Sequence, residues 1–117
     1  MCQRATGGLF AALAGAPKSE FAWTAGPPAF FASSNLAKRA YCADCGTPLS
    51  FSYDMPEARF YVTIGSMDDP EIAPVIQQYG VESRISWVKF CEDTPAEKTG
   101  EDPKAAAFFA NMTSNQE

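Results

Sequence analysis

Two cysteines separated by two residues constrain this chain more than any other feature. Cys42 and Cys45 are followed directly by Gly46, and the next residues alternate large and small side chains as a strand does. Two thiolates at this spacing can bind one metal ion at tetrahedral angles, and a glycine allows the backbone to turn tightly past the metal. The pattern therefore predicts half of a zinc knuckle between two β-strands.

A redox dithiol and a pair of plain buried cysteines are the alternative interpretations. Redox pairs usually open a helix whose dipole lowers the thiol pKa, and no helical pattern follows Cys45. A tetrahedral structural site needs four ligands, and the chain has no histidine and only two further cysteines, Cys2 and Cys91. From the residues alone, a site built from all four cysteines is possible, although the spacing is not a recurring one. The absence of histidine also excludes a Cys–His pair and a Ser-His-Asp triad.

Short apolar segments separated by turn residues predict one mainly-β domain over residues 1–91. Lys38 and Arg39 are expected in a charged turn ahead of the cysteine pair, and Asp68 and Asp69, before Pro70, in a solvated turn. The predicted strands are residues 9–16, 21–23, 30–33, 49–53, 60–64, 75–79 and 84–90.

The character of the chain changes after the β domain, and residues 92–117 are expected to form a separate tail. Residues 92–104 are charged, contain two prolines and are typical of a linker. Residues 104–112 are rich in alanine and predict a short helix, which forms only if Phe108 and Phe109 dock.

The composition limits the partners of the chain. Nine Lys and Arg against fourteen Asp and Glu give a net charge of -5, and no basic stretch exists that would bind nucleic acid or an anionic membrane. A few local Arg or Lys residues could still hold a small anionic ligand. No run reaches the ~18 apolar residues of a membrane span, and the first residues do not form a signal peptide, so a cytoplasmic location is expected.

Five short motifs occur in order between residues 2 and 70. They are CQRATGG at 2–8, WTAG at 23–26, ASS at 32–34, RAYCADCGTPL at 39–49 and IGSMDDP at 64–70. Their order and spacing resemble the glutathione-dependent formaldehyde-activating enzymes, also called S-(hydroxymethyl)glutathione synthases, of which centromere protein V is a relative. The resemblance extends to about residue 90. It implies a β-tent of small antiparallel sheets with a structural zinc and a second, catalytic zinc.

The resemblance also implies roles for three cysteines. Members of the family combine a Cys-x-Cys pair with a later Cys-x-x-Cys-Gly pair in the structural site, and a Cys-x-Cys-x-x-Cys run holds the catalytic zinc. By position, Cys42 and Cys45 match the second half of the structural site, and Cys2 matches the last ligand of the catalytic run. The other ligands and the first strand have no counterpart, which implies an N-terminally truncated domain with impaired zinc binding and activity. Cys91 has no counterpart either and is expected to be a small buried side chain.

Two functions follow from this resemblance. The first is a carbon–sulfur lyase type of enzyme that joins formaldehyde, or a related carbonyl, to glutathione or another thiol, with zinc as cofactor and Cys2 as the catalytic ligand. The alternative is a zinc-knuckle module that binds another protein and catalyses nothing. An intact Cys-x-Cys-x-x-Cys run favours the enzyme, whereas the absence of that run favours the module.

Overall fold

A computed structural model describes residues 1–89 and 101–111, which fall into two compact units, residues 1–84 and 85–117. Within the described residues, the first unit contains one α-helix and five strands, and the second contains one α-helix. They are α1 (Cys2–Thr6), β1 (Leu13–Ala16), β2 (Ala29–Ser34), β3 (Ala37–Tyr41), β4 (Pro48–Tyr53), β5 (Phe60–Thr63) and α2 (Pro103–Phe109). Short 3₁₀ helices lie at Lys18–Glu20, Ile64–Ser66, Pro70–Ile72 and Val81–Ser83.

The five strands form one antiparallel sheet in the order β1-β5-β4-β3-β2. Strands that follow one another from β2 to β5 are neighbours, and β1 pairs with β5 to complete the sheet. The predicted mainly-β, antiparallel fold is therefore confirmed, with the described strands joined in one sheet rather than in several small ones. The buried residues of the sheet lie on β3 and β4, and they are Ala37, Ala40, Ser50 and Phe51.

One row of directly opposed residues crosses all five strands. Phe31 of β2 lies opposite Arg39 of β3, which lies opposite Phe51 of β4. Phe51 in turn lies opposite Tyr61 of β5, and Tyr61 lies opposite Gly15 of β1. Directly opposed residues of an antiparallel pair point to the same side of the sheet. One face of the sheet therefore carries an arginine flanked by aromatic rings.

Gly15 is the smallest member of this row, and its size matters for packing. A Cβ atom at Gly15 would lie 3.0 Å from Cε1 of Tyr61 and 3.1 Å from Nε of Arg59. Arg59 also donates a hydrogen bond of 2.7 Å from Nη2 to the carbonyl oxygen of Gly15. We expect Gly15→Ala to lower the free energy of unfolding by about 1–3 kcal/mol, because the added methyl overpacks this contact. Gly65→Ala is the control in denaturant unfolding, since a Cβ there meets nothing within 4 Å; equal losses in the two variants would contradict the explanation.

The predicted strands at residues 30–33, 49–53 and 60–64 correspond to β2, β4 and β5 with shifted ends, and the segment at 9–16 is extended only over Leu13–Ala16. The charged turn expected at Lys38 and Arg39 is wrong. Both residues belong to β3, and the turn before it lies at residues 35 and 36. α1 was not predicted; it ends at Gly7, whose φ of 64° is left-handed.

The strand predicted at residues 21–23 is also wrong, and aromatic packing explains its pattern. The Phe21 ring stacks on Phe60 of β5 with centroids 3.9 Å apart, and Trp23 meets Phe60 edge to face at 5.9 Å. The alternation of large and small residues therefore reflects two rings that pack on the sheet without pairing with a strand.

The strand predicted at residues 75–79 does not form, and neither does the strand predicted at 84–90 over its described residues, 84–89. Ile76 and Tyr79 are 94% and 95% exposed, so the apolar side chains of that segment are not held against the sheet. From residue 85 the backbone turns instead of extending, and the amide of Val88 donates to the carbonyl of Ile85.

The predicted C-terminal helix is confirmed as α2, which begins at Pro103, inside the segment expected to be a linker, and ends at Phe109. Residue 90, Cys91, the remaining residues of the expected linker up to 100, and residues 112–117 lie outside the described part of the chain. No helix within the described part is long and apolar enough to cross a membrane.

Candidate functional site

The cysteine pair lies in a tight loop between β3 and β4, as the sequence predicted. The amide of Cys42 donates to the carbonyl of Thr47 at 2.9 Å, and the amide of Gly46 donates to the carbonyl of Cys42 at 2.8 Å. Gly46 has a φ of 76°, a left-handed conformation that residues with a Cβ rarely adopt. These bonds fold the loop back on itself and hold the two cysteines together at its centre.

Polar groups of the same loop surround the sulfur of Cys45. Oγ1 of Thr47 lies 3.0 Å from Sγ of Cys45. Hydrogen bonds from the Thr47 hydroxyl, then from the Thr47 amide and then from the Cys42 thiol, lower the pKa of the Cys45 thiol; burial and the charge of Asp44 oppose them. Hydrogen bonds to a thiolate favour the charged form, which is the form that binds metal.

The residues of this loop fit half of a zinc site. Structural zinc sites use cysteine thiolates as ligands. Neighbouring polar groups donate hydrogen bonds to those ligands, as the backbone and hydroxyl groups of this loop can. Within residues 1–89 and 101–111, no group of three or more His, Cys, Asp or Glu side chains is placed to hold a metal ion. The described chain could thus supply two of the four ligands that a tetrahedral site requires, from Cys42 and Cys45.

Cys2 lies apart from that pair, on α1. Its side chain is half-buried, its thiol is free, and its Sγ accepts a hydrogen bond of 3.4 Å from Nη2 of Arg39. It has no partner ligands around it in the described part of the chain, so a metal site at Cys2 does not fit these residues by themselves. Its catalytic and metal-binding roles stay predictions.

A cleft of about 650 Å³ opens next to Cys2 and the cysteine loop. Among the described residues that line it, only Arg4 and Arg39 have charged side chains, and Leu13, Phe31 and Phe51 give it an apolar wall. The cleft is also lined by Ser33, Ser50, Thr63 and Gly46, and by Met1 and Ala5 near the start of the chain. Cys2 itself does not line it. The cleft combines positive charge with apolar surface, in a chain whose net charge is -5.

Arg39 connects the cleft to Cys2, and the sequence did not indicate it. Its guanidinium carbon lies 4.7 Å from the centroid of the Phe51 ring, which is within cation–π range. Its Nη2 donates a hydrogen bond to Sγ of Cys2, whereas Nε is buried and has no hydrogen-bond partner among the described residues. Arg39 could have been identified from its position three residues before Cys42. A strand that leads into the cysteine loop would place its side chain on a face of the sheet.

Asp68 and Asp69 lie outside this cleft in the solvated turn that the sequence predicted. Both are exposed, and Oδ1 of Asp69 accepts a hydrogen bond of 3.1 Å from the amide of Glu71. Asp69 therefore caps the short 3₁₀ helix that follows, which accounts for the acidic pair without catalysis.

A single antiparallel sheet with a Cys-x-x-Cys loop at one strand connection and a cationic cleft beside it defines a small cysteine-bearing β domain. The family model described as GFA, glutathione-dependent formaldehyde-activating enzyme, matches residues 1–82 of the 117. The chain belongs to this family. Comparison with curated proteins and with solved structures finds no significant match.

Proposed function

We propose that the protein joins formaldehyde, or a related small carbonyl compound, to glutathione or a similar thiol, as a carbon–sulfur lyase does in reverse. The family match over residues 1–82 is the observation that carries this proposal, because it covers the cleft, both of its arginines and all three described cysteines. A volume of about 650 Å³ lies within the range of small-molecule sites and supports a ligand of this size.

The reaction adds a thiol across a carbonyl group. The sulfur forms a bond to the carbonyl carbon, the π bond of the carbonyl opens onto oxygen, and the proton of the thiol ends on that oxygen. No atom leaves, so the product is an S-hydroxymethyl thioether. The thiolate is the reactive form of the thiol, and the site must therefore stabilise negative charge on sulfur and then on oxygen.

The chain contributes binding, charge and orientation. We assign Cys42 and Cys45 to a structural zinc site that would hold the β3–β4 loop, and Cys2 to the reaction centre, where it would act as a zinc ligand only together with ligands that the described residues do not supply. When bound there, zinc supplies positive charge that stabilises a thiolate or polarises a carbonyl oxygen. The apolar wall formed by Leu13, Phe31 and Phe51 contacts the uncharged parts of the substrate and excludes water.

Exchange spectroscopy on glutathione and formaldehyde at equilibrium tests the function. The adduct forms without a catalyst, so we expect the exchange rate between glutathione and its S-hydroxymethyl adduct to rise above the background in proportion to protein concentration. The rate is expressed per bound zinc, measured by elemental analysis, because the resemblance implies incomplete zinc binding in this chain. The same protein after chelation is the control.

One outcome of this experiment overturns the enzyme. If protein with a measured zinc content leaves the exchange rate at the background value with formaldehyde and glutathione, this substrate pair is excluded. If other thiols and carbonyls behave in the same way, the non-catalytic zinc-knuckle module that binds another protein is favoured.

A further inference from the structure

The cleft beside Cys2 is lined by two arginines, Arg4 and Arg39. We propose that Arg39 and Arg4 bind a carboxylate group of the thiol substrate, an inference that rests on the proposed function. Both side chains line the cleft, one from β3 and the other from α1, and none of the described residues that line it is acidic. A carboxylate entering the cleft therefore meets two positively charged side chains and no negatively charged one among these residues.

The charge of Arg39 is not neutralised within the described chain. A guanidinium stays protonated at any physiological pH and has five N–H donors. Arg39 uses one donor on Cys2, its Nε is buried without a partner, and neither Arg39 nor Arg4 forms an ion pair with a carboxylate of the described residues. An uncompensated charge in a partly buried position is energetically costly. A carboxylate hydrogen-bonded to the Nη atoms offsets that cost, so the gain in binding free energy is larger than at the surface.

The neighbours of Arg39 fix its guanidinium for this task. The group lies over the Phe51 ring at 4.7 Å, and Phe31 stands opposite Arg39 on the adjacent strand. The contact with the Phe51 ring reduces the orientations that the guanidinium can take, so less entropy is lost when two parallel hydrogen bonds to a carboxylate form. Arg4 is exposed and reaches the same cleft, where it adds charge at the entrance.

The contact between Arg39 and Cys2 sets what kind of thiol the subsite would select. One nitrogen of the guanidinium is 3.4 Å from the sulfur of Cys2, so a carboxylate on the remaining nitrogens is held next to the proposed reaction centre. A peptide thiol with free carboxylates can place a carboxylate at Arg39 and its sulfur at the proposed reaction centre. A small neutral thiol can occupy only the sulfur position. Anionic peptide thiols such as glutathione are therefore the substrate class that the subsite favours.

Calorimetric titration with S-methylglutathione tests the subsite without any chemistry, because the blocked sulfur cannot react with a carbonyl. We expect Arg39→Gln to weaken binding about tenfold or more, Arg4→Gln to weaken it by a smaller factor, and Lys38→Gln to leave it unchanged. Lys38 is the matched control because it is exposed on the same strand and does not line the cleft. The dimethyl ester of the ligand should bind the unsubstituted protein weakly and respond little to Arg39→Gln.

Two further variants keep the test decisive if Arg39→Gln fails to fold. Arg39→Lys keeps the charge and loses the planar fork, so it should bind with intermediate affinity, and Arg4→Gln changes an exposed residue. Equal affinity for the acid and its ester, or equal effects of Arg39→Gln and Lys38→Gln, would overturn the subsite even if the protein catalyses the exchange reaction. Arginine-dependent binding of S-methylglutathione without catalysis would support the subsite and reject the enzyme.

Discussion

Replacement of Cys42 by serine is expected to abolish tight zinc binding in the β3–β4 loop and to destabilise the sheet. Cys42 and Cys45 form the half-site described above, and the loop that contains them joins two neighbouring strands. A serine hydroxyl is a much poorer zinc ligand than a thiolate, so the metal leaves the folded state. Complete four-ligand zinc sites contribute apparent binding energies of about 10–16 kcal/mol in small domains, and with two ligands in the described residues the loss of stability should be well below that range but still measurable.

Thermal unfolding measures this effect with and without zinc. The unsubstituted protein should lose stability when a chelator is added, and Cys42→Ser should resemble the chelated protein in both conditions. Ser50→Ala is a control that changes a buried polar residue on β4 outside the loop, and it should keep the response to chelator. An unfolding transition of the unsubstituted protein that ignores the chelator would show that Cys42 and Cys45 hold no structural metal.

The strands that the sequence predicted correctly, β2, β4 and β5, are rich in aromatic and β-branched residues, although their burial does not alternate along the strand. In β4, the adjacent Ser50 and Phe51 are both buried, and Phe51 has paired neighbours on both sides. β3 was missed because Lys38 and Arg39 have the composition of a turn. Lys38, which is exposed, and Arg39, whose guanidinium lies over the Phe51 ring, are both compatible with a strand.

Apolar composition misled the predictions where nothing covers the side chains. Ile76 and Tyr79 have the composition of a strand, but no neighbouring strand pairs with them in the described sheet. Composition reports what a segment could bury, and the register of the whole sheet decides what it does bury.

In the candidate site, too, the features set by neighbouring residues could be predicted, and the features set by residues distant in sequence could not. The Cys42–Cys45 loop could be predicted because a two-residue spacing and a following glycine determine its geometry over six residues, 42–47. The contact between Arg39 and Cys2 joins residues 37 positions apart and depends on where α1 lies against the sheet. No local pattern contains that information, so the cationic side of the cleft emerged only from the structure.

Replacement of Cys2 by serine is expected to remove catalysis and leave the fold intact. Cys2 is half-buried on a five-residue helix outside the sheet, and its one described polar partner through sulfur is Arg39. If Cys2 holds the catalytic zinc, the acceleration per chain should fall by more than the about 10- to 100-fold that follows loss of a partner hydrogen-bonded to a metal ligand. The free energy of unfolding should change by less than about 1 kcal/mol, in contrast to Cys42→Ser.

Exchange rates and denaturant unfolding on the same preparations separate the two cysteine roles. Binding of S-methylglutathione gives the third measurement, since Cys2→Ser leaves the guanidinium of Arg39 in the cleft and should retain the carboxylate contacts. A variant that binds the ligand, folds normally and catalyses nothing identifies Cys2 as part of the reaction centre. Full activity in Cys2→Ser would remove Cys2 from the chemistry and leave Arg39 without a reactive neighbour, so that the reaction centre would have to be sought elsewhere along the cleft.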